Sequence, residues 1–340
     1  GLVKRNHEVD VYTMGFGDLP AHESSIDGLN VYRLPSFRKK TESCHIGEML
    51  PHEIKLYFKL LKVIKHRRYD IIHAHFIFPD GLVARLLAKK LGVPLVVTAH
   101  GSDVPGYNPD RFQFQHVLLA PVWQFVVKGI DCIASPSQHL VNLIRKSNSS
   151  ALTQVIPNGY TPERLVADKQ KIQRIIVVTR MFPRKGVQYV IEAVSMLKEQ
   201  IELHIVGDGP YLDDLKDQAS RLDIAVKFWG WLDNDSAELK ELYETSSIFA
   251  FTSDQENFPI NLLEAMCAGN AIITTNSSGT KEVVGDEEFS ELNAEQLIEF
   301  SKTIANEIGA TKVVSECVYH GGADGSIKTV LFLAESNDAK

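Results

Sequence analysis

The strongest constraint in this 340-residue chain is a repeated alternation of short runs rich in Val and Ile with longer amphipathic stretches. Apolar strands that alternate with helices predict a parallel sheet with helices over both faces. The rhythm runs through residues 1–160, breaks in a polar stretch and restarts at Arg174. The sequence therefore predicts an α/β chain of two Rossmann-like domains, and its length suits two domains of ordinary size.

The predicted boundaries divide the chain into four parts. Residues 1–160 form the first Rossmann-like domain, 161–173 a linker and 174–286 the second Rossmann-like domain. Residues 287–340 are a tail, in which we expect a helix and the two strands of a β-hairpin, at Glu295–Ile308, Val314–Tyr319 and Lys328–Ala334.

Composition argues against several classes of protein. The 36 basic and 43 acidic side chains give a net charge of −7, whereas a nucleic-acid-binding protein should carry a basic excess. No apolar run approaches the roughly 20 residues of a membrane-spanning helix, and no signal peptide opens the chain. The four cysteines form no Cys-x-x-Cys pair, so we expect reduced thiols, no metal site and a cytoplasmic protein.

The most unusual residues directly follow predicted strands, which is where open parallel sheets bind ligands. Clusters of this kind in both halves predict a ligand-binding cleft between the two domains. One cluster holds Arg180 and Lys185, in a loop that leads into a helix after Gly186. Two cations beside the free amides of a helix N-terminus would bind a diphosphate, and the alternative is a pair of solvated surface cations.

A second loop supplies two carboxylates, Glu256 in the loop and Glu264 on the helix that follows it. Carboxylates accept paired hydrogen bonds from sugar hydroxyls. Glu264 lies among apolar neighbours, where a buried acid needs a partner. The alternative is a helix N-terminal charge together with a surface glutamate. The helix start would receive phosphate oxygens, so the residues predicted to face a ligand there are Asn257, Phe258, Pro259 and Ile260.

Weaker signals come from three other turns. Gly207-Asp208-Gly209 permits close backbone approach to a ligand, although it is often only a loop. Trp231 can stack on a nucleotide base. The alternative is packing in the core, which we expect for at least one of Trp229 and Trp231. His100 can bond a sugar hydroxyl or exchange protons near neutrality, although a lone histidine is usually structural. Asp103, which follows it closely, is equally an N-cap.

His73 and His75 alternate along one strand, and their spacing matches no strong zinc signature. We interpret both as structural or cleft-lining residues.

Taken in order over residues 1–286, these motifs resemble family 4 of the retaining glycosyltransferases, whose fold is GT-B. The specific part is the Glu256-x7-Glu264 pair together with the Arg180–Lys185 loop. The stretch His73–Gly81 is similar to the cell-surface polysaccharide branch, such as teichuronic-acid-type transferases. The other matching segments are Lys4–Val9, Asp70–His75, His100–Asp103, Ile156–Gly159, Gly207–Pro210 and Ala268-Gly269.

The resemblance implies roles for these residues. The second domain would bind a nucleotide-diphospho-sugar, with Arg180 and Lys185 on the diphosphate, Glu264 on the ribose and Glu256 on the donor sugar. His100 would reach the donor sugar from the first domain, which would take a glycan or lipid-linked acceptor. The family transfers a hexose-type sugar with retention, without a cofactor or an essential metal. Further contacts are expected on the donor side from Gly207, Asp208, Gly209 and Trp231, and on the acceptor side from Ser102 and Asp103.

The chain departs from the family pattern in three places. No first strand and Gly-rich loop precede residue 1, Ser278-Gly279-Thr280-Lys281 stands where the family favours Gly-Gly-x-Pro, and the tail after Asp286 is atypical. We therefore expect an N-terminally truncated chain. Two other functions stay open: a nucleotide-sugar epimerase of the same fold, and a sugar-nucleotide binder or inactive fragment.

A membrane contact is a further expectation, because residues 1–165 carry a net charge of +6 and residues 166–340 one of −13. A predicted amphipathic helix within Glu48–Arg68 presents Lys55, Lys59 and Lys62. This basic helix, 52–68, could rest on anionic lipid at the cytoplasmic face of a membrane. The alternative, which we favour, is the ordinary solvated face of a helix that covers a sheet.

Overall fold

The computed structural model describes residues 2–15, 17–26, 28–36, 46–160, 164–197, 201–275, 278–285, 312–318 and 329–335. The chain divides into two compact units. The first unit comprises Gly1–Pro136 and Leu140–Ile156, and the second comprises Ser137–His139 and Pro157–Lys340. Within the described ranges, no helix is both long and apolar enough to cross a membrane.

In the chain up to residue 156, strands and helices alternate after a short 3-10 helix at Val3–Arg5. They are β1 (Val9–Met14), β2 (His22–Ile26), β3 (Leu29–Leu34), α1 (Ile46–Val63), β4 (Ile72–His75), α2 (Asp80–Leu91), β5 (Leu95–Thr98), α3 (Pro109–Val127), β6 (Cys132–Ser135), α4 (Gln138–Ser147) and β7 (Thr153–Val155).

The strands of this part form two sheets. Strands β4, β5, β6 and β7 lie side by side in chain order, and all pair in parallel. In the other sheet, β3 lies between β1 and β2, parallel to β1 and antiparallel to β2. The sequence analysis missed β2, because its polar segment His22–Ser24 lacks the apolar alternation of a strand.

The core of the first unit lies between the four-stranded sheet and its helices. Leu95 and Val97 of β5 are fully buried against Ala84 and Ala88 of α2 and Val126 of α3. Leu56 of α1 packs in a smaller cluster with residues of β3 and α2. Helix α1 ends at Val63, so Arg67 lies beyond it, and its guanidinium is bound to the carboxylate of Asp10. The predicted basic helix is therefore shorter at its C-terminal end than expected, and this arginine contacts β1.

From residue 157 the same alternation resumes, with a 3-10 helix at Pro183–Lys185. The elements are β8 (Ile172–Val178), α5 (Val187–Ser195), β9 (Glu202–Val206), α6 (Leu212–Arg221), β10 (Val226–Gly230), α7 (Ala237–Thr245), β11 (Ser246–Phe251), α8 (Ile260–Cys267), β12 (Ala271–Thr274), α9 (Ser278–Val284), β13 (Lys312–Val318) and β14 (Thr329–Glu335).

The sheet of the second unit is doubly wound. Its strand order is β10-β9-β8-β11-β12, and every neighbouring pair is parallel. Ile175 and Val177 of β8 pack with α5 and α6, whereas Ile176 packs on the opposite face with α7 and α8. Both faces of the sheet are therefore covered, as an all-parallel sheet requires. The predicted α/β class, with two Rossmann-like parallel-sheet units, is confirmed.

In the tail, β13 and β14 pair antiparallel. The predicted helix at Glu295–Ile308 lies outside the described residues.

Candidate active site

The strand order reverses between β8 and β11 in the second unit, because β9 lies on one side of β8 and β11 on the other. A crevice at the carboxyl ends of strands at such a switch point is the usual ligand position in this architecture. The loop after β8 carries Arg180 and Lys185, and the loop after β11 carries Glu256. The topology thus brings these two predicted loops to one edge of the sheet.

Hydrogen bonds hold the two loops together. The hydroxyl of Thr252 donates to the carbonyl of Gly186 over 2.8 Å, and the amide of Asp254 donates to the carbonyl of Arg184 over 3.0 Å. Lys185 is buried, and its ammonium is bound to Oε1 of Glu256. Arg180 is exposed at the same edge.

Burial lowers the pKa of Lys185, and the adjacent Glu256 acts in the opposite direction. The ion pair therefore keeps a buried ammonium charged. The sequence analysis assigns the two side chains to different parts of a donor, and the structure shows them bound to each other.

Helix α8 begins at this edge. Pro259 occupies its N-cap position with an extended backbone, and Ile260 is the first helical residue. The carbonyl of Phe258 accepts a hydrogen bond from the side chain of Asn158 over 2.9 Å, and Asn257 is buried. The first-turn amides of α8 have no earlier helical carbonyl to pair with, so they add positive potential here.

Gly279 packs directly on this loop. A Cβ atom at Gly279 would lie 1.5 Å from the carbonyl oxygen of Asn257, and the amide of Gly279 donates to the carbonyl of Glu256 over 2.9 Å. Only glycine fits this position. The chain departs from the family pattern at Ser278 and Lys281, and it keeps glycine where the loop requires it.

Glu264 lies one turn into α8, beside a cavity of about 180 Å³. The hydroxyl of Tyr243, which is fully buried, donates to Oε2 of Glu264 over 3.0 Å. Burial raises the pKa of Glu264, and the bond from Tyr243 opposes that shift. The cavity is further lined by polar side chains: Tyr160, Arg164, Asn234, Asp235, Ser236 and Lys240.

The glycine turn after β9 supports the Arg180 loop. Gly207 has a φ of +130°, and a Cβ atom there would lie 1.8 Å from the carbonyl oxygen of Thr179. Gly209 lies against Met181 in the same way, while the carboxylate of Asp208 accepts from the amide of Gly209. The close backbone approach predicted for a ligand is therefore made, at both glycines, to the neighbouring loop of the protein.

The two tryptophans differ in their surroundings. Trp229 packs beside the core of the second unit, and the ammonium of Lys227 lies 3.7 Å from its ring centroid. Trp231 is 63% exposed and presents a free aromatic face for stacking.

In the first unit, Asp103 is buried and holds the turn after β5. Its Oδ1 accepts from the amides of His100 and Gly101, each over 3.0 Å, and its Oδ2 accepts from the amide of Ile77 over 2.7 Å. These bonds occupy the carboxylate, so it supports the turn, and its expected contact with an acceptor stays a prediction. Ser102 is exposed, and the ring of His100 is exposed beside it.

Two family descriptions match this chain. The family described as Glycosyltransferase Family 4 matches residues 1–164, and the family described as Glycosyl transferases group 1 matches residues 163–306. The chain belongs to glycosyltransferase family 4. The two matches together extend from the first residue into the tail, and the enzyme is a transferase.

Three relatives show the range of this glycosyltransferase's family. An uncharacterized glycosyltransferase of Methanocaldococcus jannaschii is 27% identical over 84% of this chain and 76% of its own length. The alpha-monoglucosyldiacylglycerol synthase of Streptococcus pneumoniae is 25% identical, covering 86% and 69%. The putative teichuronic acid biosynthesis glycosyltransferase TuaC of Bacillus subtilis is 24% identical, covering 76% and 66%.

Solved structures agree on the fold of the glycosyltransferase. Sucrose-phosphate synthase from Thermosynechococcus elongatus superposes with a TM-score of 0.72 at 18% identity, over 90% of this chain and 82% of that one. The Anabaena protein HepE in complex with UDP-glucose superposes with a TM-score of 0.56 at 21% identity, covering 75% and 70%. The fold is GT-B.

Three side chains at the site of the glycosyltransferase were not predicted: Tyr243, Tyr160 and Arg164, which surround Glu264. His75, which was interpreted as structural or cleft-lining, contacts His100. The apolar neighbours of Glu264 in the sequence indicate that its carboxylate needs a hydrogen-bonding partner. They do not indicate which residue that partner is. In the ranges that the structure describes, no group of three or more His, Cys, Asp or Glu side chains is placed to hold a metal ion.

Proposed function

We propose that this glycosyltransferase moves a hexose-type sugar from a nucleotide-diphospho-sugar to a glycan or lipid-linked acceptor, with retention of the anomeric configuration. The observation that carries the proposal is the meeting of Lys185, Glu256 and the start of α8 at the switch point of the second sheet. Cations and free amides at one edge suit a diphosphate, and the nearby carboxylates suit hydroxyls.

In this proposal Arg180 and Lys185 stabilise the charge that develops on the diphosphate leaving group. Glu264 binds the ribose from its cavity, and Glu256 binds the donor sugar. His100 contacts the donor sugar from the first unit. A nucleotide donor is supported by the HepE structure, which contains UDP-glucose.

The acceptor proposal rests on the relatives and on α1. One relative is a diacylglycerol glycolipid synthase, and another acts in teichuronic acid biosynthesis. We propose that this enzyme acts likewise in cell-surface polysaccharide or glycolipid synthesis, on the cytoplasmic face of the membrane.

The outer face of α1 supports a membrane contact. Its inner residue Leu56 is buried, yet Ile54 and Phe58 are each 60% exposed and Leu50 is 45% exposed. The exposed lysines of the same helix are Lys55, Lys59 and Lys62. An interfacial helix combines apolar and basic residues in this way, whereas the outer face of a helix that covers a sheet is mainly charged and polar. Each lysine near anionic lipid contributes about 1 kcal/mol.

Calorimetry with UDP-, GDP- and ADP-sugars, followed by analysis of products, tests the catalytic proposal. The expected result is saturable binding of one donor and transfer or slow hydrolysis with retained configuration. Interconversion of free sugar nucleotides would identify an epimerase, and binding without turnover would identify a binder.

Co-sedimentation with vesicles tests the membrane contact separately. The protein should pellet with anionic vesicles at low salt and be released at high salt. The triple variant Lys55→Glu, Lys59→Glu and Lys62→Glu should stay in solution, whereas Lys89→Glu with Lys90→Glu, on α2, should still pellet. A wild-type protein that ignores anionic vesicles at low salt would show that the stripe does not bind membranes.

A further inference from the structure

Two histidines of the first unit are joined by a direct ring-to-ring hydrogen bond. Nδ1 of His75, the last residue of β4, lies 3.0 Å from Nε2 of His100, which follows β5. The ring centroids are 5.2 Å apart. The position of His100 is also fixed through its backbone amide, which donates to Asp103. Its ring and its main chain are therefore held by different partners.

A hydrogen bond between two imidazole nitrogens needs one proton, because one nitrogen must donate and the other must accept. Burial lowers the pKa of His100, a shift that Asp103 opposes and His75 reinforces. Burial also lowers the pKa of His73, whose ring lies 4.8 Å from that of His75. Above neutral pH, the ring of His100 is therefore uncharged and carries its proton on one nitrogen only.

The contact decides which nitrogen of His100 faces a ligand. Nε2 is occupied by His75, and no hydrogen-bonding group among the described residues reaches Nδ1 of His100. The Nε2–H form is the more stable neutral tautomer of a free histidine side chain. A bond donated from Nε2–H of His100 to Nδ1 of His75 leaves both rings in that form.

We propose that His75 is a positioning residue that keeps the proton of His100 on Nε2, so that Nδ1 of His100 accepts a hydrogen bond from a hydroxyl of the donor sugar. The second part rests on the proposed role of His100 in the transfer reaction. Without His75, the ring of His100 can rotate and exchange tautomers, and part of the population then presents an N–H where the lone pair is needed.

Nitrogen NMR of the unliganded protein tests the tautomer directly. The protein is labelled with ¹⁵N-histidine and measured at pH 8, and the signals of His100 are assigned among the 12 histidines by their loss in His100→Gln. We expect a pyridine-like shift for Nδ1, a pyrrole-like shift for Nε2, and a ¹⁵N–¹⁵N coupling across the hydrogen bond to His75. A pyrrole-like Nδ1, or no coupling, would overturn the proposal.

Kinetics test the consequence for transfer, with the sugar nucleotide that binds in calorimetry. His75→Ala should lower kcat/KM for the donor about tenfold, the scale of one lost hydrogen bond. His75→Asn should recover most of that loss, because its amide oxygen can accept from Nε2–H. His22→Ala, at an exposed position of β2, is the control, and it should stay within about twofold of wild type.

Unchanged kinetics in His75→Ala, with an unchanged melting temperature, would show that His75 does not position His100. A different failure is visible in His100→Ala. If that variant transfers sugar normally, the proposed role of His100 in transfer is wrong. The NMR experiment still tests the tautomer of His100, because it does not depend on catalysis.

Discussion

The ammonium of Lys185 is bound to the carboxylate of Glu256. Lys185 is 8% exposed, so its charge depends on this partner. A diphosphate that binds Lys185 must therefore compete with a carboxylate of the protein. The pair makes the two residues interdependent, although they lie 71 positions apart in the sequence.

Replacing Glu256 by Gln should tighten the binding of a nucleoside diphosphate by about tenfold and lower the rate of sugar transfer. The neutral amide competes less for Lys185, at a site where one charge-assisted hydrogen bond is worth about 1.5–3 kcal/mol. Calorimetry with UDP, GDP and ADP gives the affinity. Glu238→Gln, an exposed position on α7, controls for the change in net charge. Weaker binding in Glu256→Gln would contradict the competition.

Arg180→Ala should lower kcat on the order of 100-fold, if the guanidinium supplies about 2.7 kcal/mol of charge stabilisation to the leaving group. Steady-state rates of transfer measure it. Arg221→Ala removes a cation at the end of α6 and should have no effect. Equal rates for the two variants would show that Arg180 does not stabilise the leaving group.

Glu264→Gln should raise the KM for the donor more than it lowers kcat, because contact with a ribose is mainly uniform binding. Tyr243→Phe should have the same effect on a smaller scale, a rise in KM of about two- to tenfold, since Glu264 loses the hydrogen bond that orients it. Tyr189→Phe, in the core on the opposite face of the sheet, is the control. Loss of kcat at constant KM would instead place Glu264 in the chemical step.

Glu53 of α1 gives a prediction about stability and pH. Burial, followed by the charge of Asp80, raises the pKa of Glu53 from 4.5 to about 8. A raised carboxyl pKa means that its stabilising contribution is complete below pH 4.5 and is lost as the pH rises toward 8. Each pH unit in that window costs up to about 1.4 kcal/mol. Glu53→Gln should remove this dependence.

Chemical denaturation of both proteins between pH 5 and pH 8 measures the difference. The variant should gain stability over the wild type as the pH rises. Parallel curves for the two proteins would show that Glu53 ionises normally in the folded state.

The sequence was sufficient for the regular part of this fold. The sequence alone indicates both ends of helix α2, because Asp80 stands in its first turn and Gly92, which the structure shows in a left-handed conformation, follows its last residue. The ends of strand β9 are indicated in the same way, because a buried apolar run lies between the polar Glu202 and the glycine turn. Strand β2 was missed, since its pairing with β3 comes from tertiary contact and not from its own pattern.

Prediction of the site was more limited. The motifs located Lys185, Glu256 and Glu264 at strand and helix ends, but local spacing contains no information on which distant side chains meet. The partner roles of Tyr243 and His75 depend on long-range packing. The burial of Asp103 also depends on the fold. An acidic residue after a strand can be exposed or buried, and the tertiary structure around the turn decides which.

The bonds made by Asp103 also limit how this enzyme can change in evolution. One carboxylate ties the segment after β4, through Ile77, to the turn after β5 that carries His100. His100 therefore belongs to the rigid frame of the first unit, and it cannot shift to follow a sugar of different shape. New sugar specificity is more accessible through exposed positions such as Ser102 and Trp231, where a substitution disturbs no buried hydrogen bond.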